Sequence, residues 1–392
     1  MIYQVDLQRI IDLIVRLDFI RVVGTEGERR GFEVITNELA ACGVDAWFDS
    51  YWVPWVEIAE AQLQIEGACF PIVPLVSPVF NGPWIPISAE VDVQGMLVDD
   101  VRTEGVTGTR ILLRTTADRE QQCMPGADAQ LFACPPDEGF VAHYLHAVSG
   151  LGRRIPSAWV DPGVLDALRE RLGKSCRFHW TSRNSQKTLR NLLLDVRGTT
   201  SPDEVIGVAA HVDSFPGCSG ANDNASGCAR LIEFARWFRS HPPQRTIRFV
   251  WFTGEEAHVA DCHAYLKTPG SGDVRLWIEV DGGVSDDHVR PDINIADHNV
   301  VARFTQEAIA AITSTDERIL FRDPRKQAAT DTDVPCAPIV WCPGGGRRKK
   351  LPAGHLPSDT MAAISRENLH TAAVLGLAFI DAVQKHRLPS GP

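Results

Sequence analysis

Residues 205–256 read VIGVAAHVDSFPGCSGANDNASGCARLIEFARWFRSHPPQRTIRFVWFTGEE, and their texture decides the fold. Val205 to Ala210 is a short, continuous apolar run, as a strand buried on both faces requires, and Thr246 to Phe252 is a second strand. Between them, Ala225 to Arg239 has the pattern of an amphipathic helix. Strand, helix and strand in this order predict an α/β layout.

The alternation continues on the C-terminal side. A helix is expected over His258 to Lys267, a strand over Leu276 to Val280, a helix over Val300 to Ile312, a strand over Ala337 to Trp341 and a closing helix from Glu367 to about Val383. Toward the N-terminus, Ile10, Ile11, Ile14 and Leu17 recur at helical spacing behind Asp6, which can cap the first turn. Thr25 and Glu28 have capping-box spacing before the apolar face of Phe32, Val34, Ile35 and Leu39. Gly43 then precedes a strand-like stretch, Val44 to Phe48.

From about Trp55 to Arg190 the texture changes to short β-rich runs, among them Ala61 to Ile65, Gly95 to Val98 and Arg110 to Leu113, broken by Pro and Gly. One helix stands out there, capped by Asp161, opened by Pro162, lined by Leu165, Leu168 and Leu172 and ended by Gly173. The expected organisation is a domain formed by residues 1–54 and 191–392, with residues 55–190 inserted as a smaller β-rich domain. A chain of 392 residues supports that division.

Hydrophobic residues make up 44% of the chain and charged residues 23%, which excludes a fibrous or largely disordered protein. The formal charge of −11 is spread along the sequence, so no nucleic-acid partner is expected; Arg347 to Lys350 is the one basic run. No window reaches membrane-spanning length, and MIYQVDLQRI lacks the pattern of an export signal. Ten cysteines, several in apolar runs (Cys69, Cys336, Cys342), read as free buried thiols, consistent with a cytoplasmic protein.

Reactive groups in an open α/β sheet gather where strands end, because loops there are free to converge on one crevice. The expected strands run into His211-Val212-Asp213, into Glu255-Glu256 and into Asp281, and the loop after Trp341 leads to His355. Asp223 lies between the first strand and its helix, in GANDNASG. Each alone has an ordinary reading: a satisfied polar histidine, a helix cap, a solvated helix start. Together they form a set of nitrogen and oxygen donors suited to a borderline divalent cation.

The succession AHVDS, GANDNASG, RFVWFTGEE and GHLPSDT, opened by the N-terminal GTEGE, resembles the zinc aminopeptidases of family 28 in peptidase clan MH. The resemblance implies a three-layer α/β/α sandwich with a mixed central sheet, of the phosphorylase/hydrolase-like kind. It implies two zinc ions, His211 and Asp281 holding one, Glu256 and His355 the other, and Asp223 bridging them. Two cations roughly 3.5–4 Å apart need such a shared carboxylate to offset their repulsion. Asp213 would accept the second imidazole N–H of His211 and fix its orientation. Glu255, free of metal, would serve as general base toward a zinc-activated water, and the substrate would be a peptide or small amide with a free amine.

The pattern departs from the family after the glutamate pair, where Ala257-His258-Val259-Ala260-Asp261-Cys262 replaces the usual glycine-leucine-x-glycine-serine, so substrate fit is expected to differ. His258 would lie two residues beyond Glu256, and Cys262 would pack where the family has serine. Cys218 is not needed as a ligand. Trp251, Trp277 and Trp341 are expected to be packing residues. The insert resembles a protease-associated domain, in VQGMLVDD, CMPGADAQLF and IPSAWVDPGVLDALRERL, which in the family lies beside the active-site mouth. The loop Gly344 to Lys350 would meet an anionic substrate group or simply be solvated. Two other functions fit a related scaffold: a single-zinc glutaminyl cyclase-like acyltransferase, and a catalytically silent peptidase-derived binding protein. The oligomeric state is not readable from the residues.

Overall fold

The computed structural model describes residues 3–74, 91–100, 105, 107–114, 126–133, 156–215, 218–256, 274–285, 307, 308, 310, 339–341 and 358–386. In chain order the elements are helices α1 (Leu7–Leu17) and α2 (Glu26–Ala41), then strands β1 (Trp47–Ile65), β2 (Ala68–Pro74), β3 (Val91–Val98), β4 (Arg110–Arg114), β5 (Ala129–Ala133) and β6 (Ser157–Val160). Helix α3 (Leu165–Arg169), strands β7 (Ser175–Val196) and β8 (Ser201–His211), helix α4 (Ser226–Ser240), strands β9 (Arg245–Phe252), β10 (Val274–Val280) and β11 (Ile339–Trp341) and helix α5 (Arg366–Lys385) complete the description. The chain divides into two compact units, Met1–Tyr51 with Leu189–Pro392, and Trp52–Thr188.

In the first unit β9, β8, β10 and β11 lie side by side and parallel. The last residues of β7, Leu192 to Val196, pair antiparallel with β9, so the sheet is mixed. The apolar run of β8 is explained by burial on both faces. Ile206, Val208 and Ala210 join the large core built with α1, α4 and α5. Ala209 points the other way, among Leu193, Val250, Phe252 and Trp277. Gly207 is required on that second face: a Cβ there would lie 2.2 Å from the Trp277 ring. Trp251 and Trp277 are both buried packing residues, as expected.

Helix α1 buries Ile10, Ile11, Leu13, Ile14 and Leu17, and the Asp6 side chain caps it by accepting the N–H of Arg9 at 3.0 Å. The start of α2 differs from its expected form. The Thr25 hydroxyl donates to the carbonyl of Val22 at 2.6 Å, and the Glu28 carboxylate accepts from Gly24 at 2.9 Å. The two side chains thus tie down the turn before the helix and form no capping box. Strand β1 also differs, running from Trp47 to Ile65 straight through Pro54, where the sequence suggests separate pieces.

The second unit holds its own mixed sheet. Strands β3, β4, β5 and β6 are parallel, β2 pairs antiparallel with β6, and β3 pairs antiparallel with β7. Leu63, Leu97, Ile111, Leu131, Leu168 and Phe178 are buried in its separate core. Asp161 accepts from Gly163 at 2.8 Å, ahead of a short helical segment reaching Arg169. Cys69 is free but exposed, a correction to its reading as a buried thiol. It sits on β2, opposite Gln64 and just past the Glu66-Gly67 turn, where strand alternation sends its side chain outward. Cys336 and Cys342 lie outside the described residues, as do the expected helix His258 to Lys267 and, apart from residues 307, 308 and 310, the expected helix Val300 to Ile312.

Candidate metal centre

Strands β8, β9 and β10 are parallel neighbours, so their C-terminal ends open on the same edge of the sheet. His211 ends β8, Glu255 and Glu256 follow β9, and Asp281 follows β10. Asp223 lies in the segment Ala221–Ala225 that leads into α4. The structure brings these side chains together. The Nε2 atom of His211 is 3.1 Å from Asp223 Oδ1, 3.3 Å from Asp281 Oδ1 and 4.0 Å from Glu255 Oε2. Donor atoms of His211, Asp223 and Asp281 form one close group, and those of His211, Glu255 and Glu256 a second.

The imidazole orientation is decided at its other nitrogen. His211 Nδ1 lies 3.0 Å from the main-chain carbonyl of Asp213, an acceptor only, so Nδ1 carries the proton. In the neutral ring Nε2 then presents its lone pair to two carboxylates, an arrangement that calls for a cation between them. Asp281 Oδ1 is itself a buried atom and faces His211 Nε2 at 3.3 Å. Without metal, the same demand appears as a raised His211 pKa. Burial alone would depress it, but hydrogen bonds with Asp223 and Asp281 and the charge of Glu255 outweigh burial and hold it well above the usual histidine value. The donor set fits a divalent ion of the zinc type.

The expectation for Asp213 changes in one respect. Its carbonyl, not its carboxylate, meets the imidazole; the nearest carboxylate oxygen is 3.8 Å from Nδ1. The buried carboxylate instead accepts the main-chain N–H groups of Gly254 (2.9 Å), Glu255 (3.3 Å) and Glu256 (3.0 Å). It therefore shapes the turn that presents the glutamate pair. Glu255, with its side chain about 32% exposed, is pushed well above the usual carboxylate range. Desolvation is the main cause, the charges of Glu256, Asp281 and Glu279 add to it, and His211 opposes it.

The two asparagines around Asp223 have a matching role. Asn222 Oδ1 accepts the N–H of Val284 at 2.9 Å, and Asn224 accepts from Gly282 at 3.1 Å while donating to the carbonyl of Val280 at 2.9 Å. Both tie the Asp223 segment to the loop that carries Asp281. Sequence reading quoted these asparagines only as part of a motif. It also passed over Asp359, whose carboxylate accepts the N–H of Asn222 at 2.7 Å and of Asp223 at 3.1 Å, although GHLPSDT contains it. Arg21, just before GTEGE, was missed too: it is fully buried and donates to the carbonyls of Val212, Ser219 and Gly220. His355, His258, Cys262, the side chain of Trp341 and the Arg347 to Lys350 run lie outside the described residues.

Residues 191–380 match the sequence profile of peptidase family M28, and every residue of the cluster falls inside that span. The matched span makes up just under half of the chain. The chain is 29% identical over 201 residues to aminopeptidase YwaD of Bacillus subtilis, an alignment covering 47% of this chain and 43% of that protein. The chain spans less than half the length of the curated relatives that it matches. The fold is shared with a Bacillus subtilis zinc aminopeptidase, BSAP, at a TM-score of 0.68 and 17% identity, covering 96% of this chain and 95% of the other. It is also shared with a glutaminyl cyclase from an Acidobacteriales bacterium, at a TM-score of 0.52 and 16% identity, covering 98% and 97%. The mixed α/β architecture described above is the fold shared with these solved structures.

Proposed function

We propose that this protein is a zinc-dependent hydrolase that cleaves an amide bond next to a free amine, in the manner of an aminopeptidase. The observation that carries this reading is the convergence of Asp223 and Asp281 on His211 Nε2, with Glu255 alongside at 4.0 Å. His211 and Asp281 would hold one ion, Glu256 and His355 the other, and Asp223 would serve both. Bound zinc supplies Lewis acidity, polarising a carbonyl and making water acidic near neutral pH.

The protein's own groups would do the rest. Glu255 stands free of the His211, Asp223 and Asp281 group, and its raised proton affinity suits a base that takes a proton and later returns it to the leaving amine. Asp213 holds the turn under Glu255 through main-chain hydrogen bonds, so it would position the base without meeting substrate. The surrounding carboxylates favour a cationic α-amine over a blocked one.

The inserted stretch 55–190 is read as a protease-associated-like domain, and the substrate as a peptide or small amide. The unpaired, buried Cys176, Cys218 and Cys228 support a reducing, cytoplasmic setting, and no helix among the described residues is long and apolar enough to cross a membrane.

The test is hydrolysis of aminoacyl-p-nitroanilides and dipeptides by zinc-replete protein, each compared with its N-acetylated counterpart, together with zinc content by elemental analysis. Turnover confined to free amines with near two zinc per chain supports the proposal. Near one zinc per chain with release of ammonia from N-terminal glutamine would replace it with the cyclase reading. Full zinc occupancy without any turnover would leave a binding protein.

A further inference from the structure

The segment Ser219 to Asp223 carries a carboxylate that faces His211, yet it belongs to no sheet ladder. Its main-chain groups must find partners elsewhere, and two buried residues supply them. Arg21 donates to the carbonyls of Ser219 at 2.6 Å and Gly220 at 3.0 Å. Asp359 takes the opposite polarity. Its carboxylate accepts from Asn222 and Asp223, while its own carbonyl accepts the N–H of Ala221 at 3.2 Å and the Ser219 hydroxyl at 2.8 Å. Between the two, Gly220 turns the chain at φ 61°, where a Cβ would sit 2.2 Å from the carbonyl oxygen of Asp223.

We propose that Asp359 is the positioning residue for Asp223: by holding two successive N–H groups on one carboxylate it fixes the peptide planes from which the Asp223 side chain reaches His211. This rests on the zinc reading above. Any rotation of these peptide planes must break a hydrogen bond to the Asp359 carboxylate, which in its ionised form makes that bond roughly twice as strong as a neutral one. Asp359 is not itself a ligand; among the described residues it belongs to neither group of metal donors, and both its oxygens already accept main-chain N–H groups. Its action on the ion would pass through Asp223 alone.

The experiment compares wild type with Asp359→Asn, which preserves shape but leaves only one oxygen to accept. Zinc affinity is measured by competition with a chromophoric chelator, the site's geometry by the absorption spectrum of the cobalt-substituted protein, and folding by circular dichroism of the metal-stripped protein. Zinc binding weaker by about 10–100-fold, with an altered cobalt spectrum in a folded variant, is expected. Unchanged zinc affinity and cobalt spectrum in that variant would overturn the proposal. If D359N does not fold, Asp359→Glu, which retains the charge but moves the carboxylate, is measured in the same way: weakened zinc binding supports positioning and unchanged binding overturns it. Loss of fold in both variants also overturns it, because the residue is then sustaining the core and not the ligand. A wild-type protein that binds no zinc at all is a different result and defeats the parent reading.

Discussion

The carboxylate of Asp213 receives the main-chain N–H of Glu256 at 3.0 Å, so a residue two positions beyond His211 fixes the turn that carries the glutamate pair. The same carboxylate also takes the N–H groups of Gly254 and Glu255. The end of β8 thereby sets the height of the residues following β9, and two adjacent strands deliver their side chains as one unit.

Asp213→Asn tests that coupling. The amide has a single acceptor oxygen and turns its NH2 toward a buried N–H, an unsatisfied contact costing about 1–3 kcal/mol. The expected outcome is a urea midpoint lowered accordingly and turnover reduced by about 10–100-fold, as for partners that orient metal-site residues. Wild-type turnover in the variant would show that the turn holds its shape without Asp213.

Glu255→Ala separates the proposed base from the proposed ligands. Removing a general base slows turnover by about 100–10,000-fold, while zinc content should stay at the wild-type level. Elemental analysis together with steady-state kinetics checks both halves. A near-wild-type rate would remove Glu255 from the mechanism.

His355→Ala addresses a position known from the sequence alone. It is expected to lose one metal equivalent, read by elemental analysis after desalting. Unchanged zinc content would strike His355 from the ligand set.

The metal-free protein should become less stable as pH rises. Burial, aided by the charge of Asp223, holds the Asp359 carboxyl up at about 7, against an ordinary 3.8, despite the N–H groups of Asn222 and Asp223 and the nearby Arg21. Between those values the folded chain keeps a proton that the unfolded chain has released. This contribution is complete below 3.8 and is lost as pH rises toward 7. Glu255 and His211, both raised, act in the same direction. Calorimetry of metal-stripped protein should give a higher melting temperature at about pH 5 than at about pH 7.5, and zinc should flatten the difference. A melting temperature that climbs over this interval would contradict the assignment.

Gly207→Ala probes the face of the sheet away from α4. The added methyl would overlap the Trp277 ring, which is 1% exposed. Overpacking of this kind costs about 1–3 kcal/mol, measurable by denaturant unfolding. An unchanged midpoint would mean that Trp277 repacks.

The α/β class was legible because β8 and β9 are buried on both faces, which leaves a continuous apolar signature in VIGVAA and TIRFVWF. The convergence of His211, Asp223 and Asp281 was legible because strand ends of a parallel sheet share an edge. Other features depend on partners that no local pattern reveals. Val44 to Phe48 and Ala61 to Ile65 read as separate runs, yet β1 is continuous from Trp47 to Ile65. Thr25 and Glu28 have the spacing of a capping box but find nearer partners in Val22 and Gly24. The resemblance implied that Asp213 serves the imidazole, whereas its carboxylate serves amides more than forty residues away. Asp359 meets Asp223 across 136 residues, a contact that only the folded chain defines.

The side-chain amides of Asn222 and Asn224 make the loops bearing Asp223 and Asp281 mechanically a single part. The interval between those two carboxylates is then insulated from changes in chain length before Ser219 or after Val284. Lineages or laboratory libraries that lengthen, shorten or resequence the flanking stretches inherit the same donor spacing, and selection on what enters the crevice can proceed separately from selection on what holds the ion.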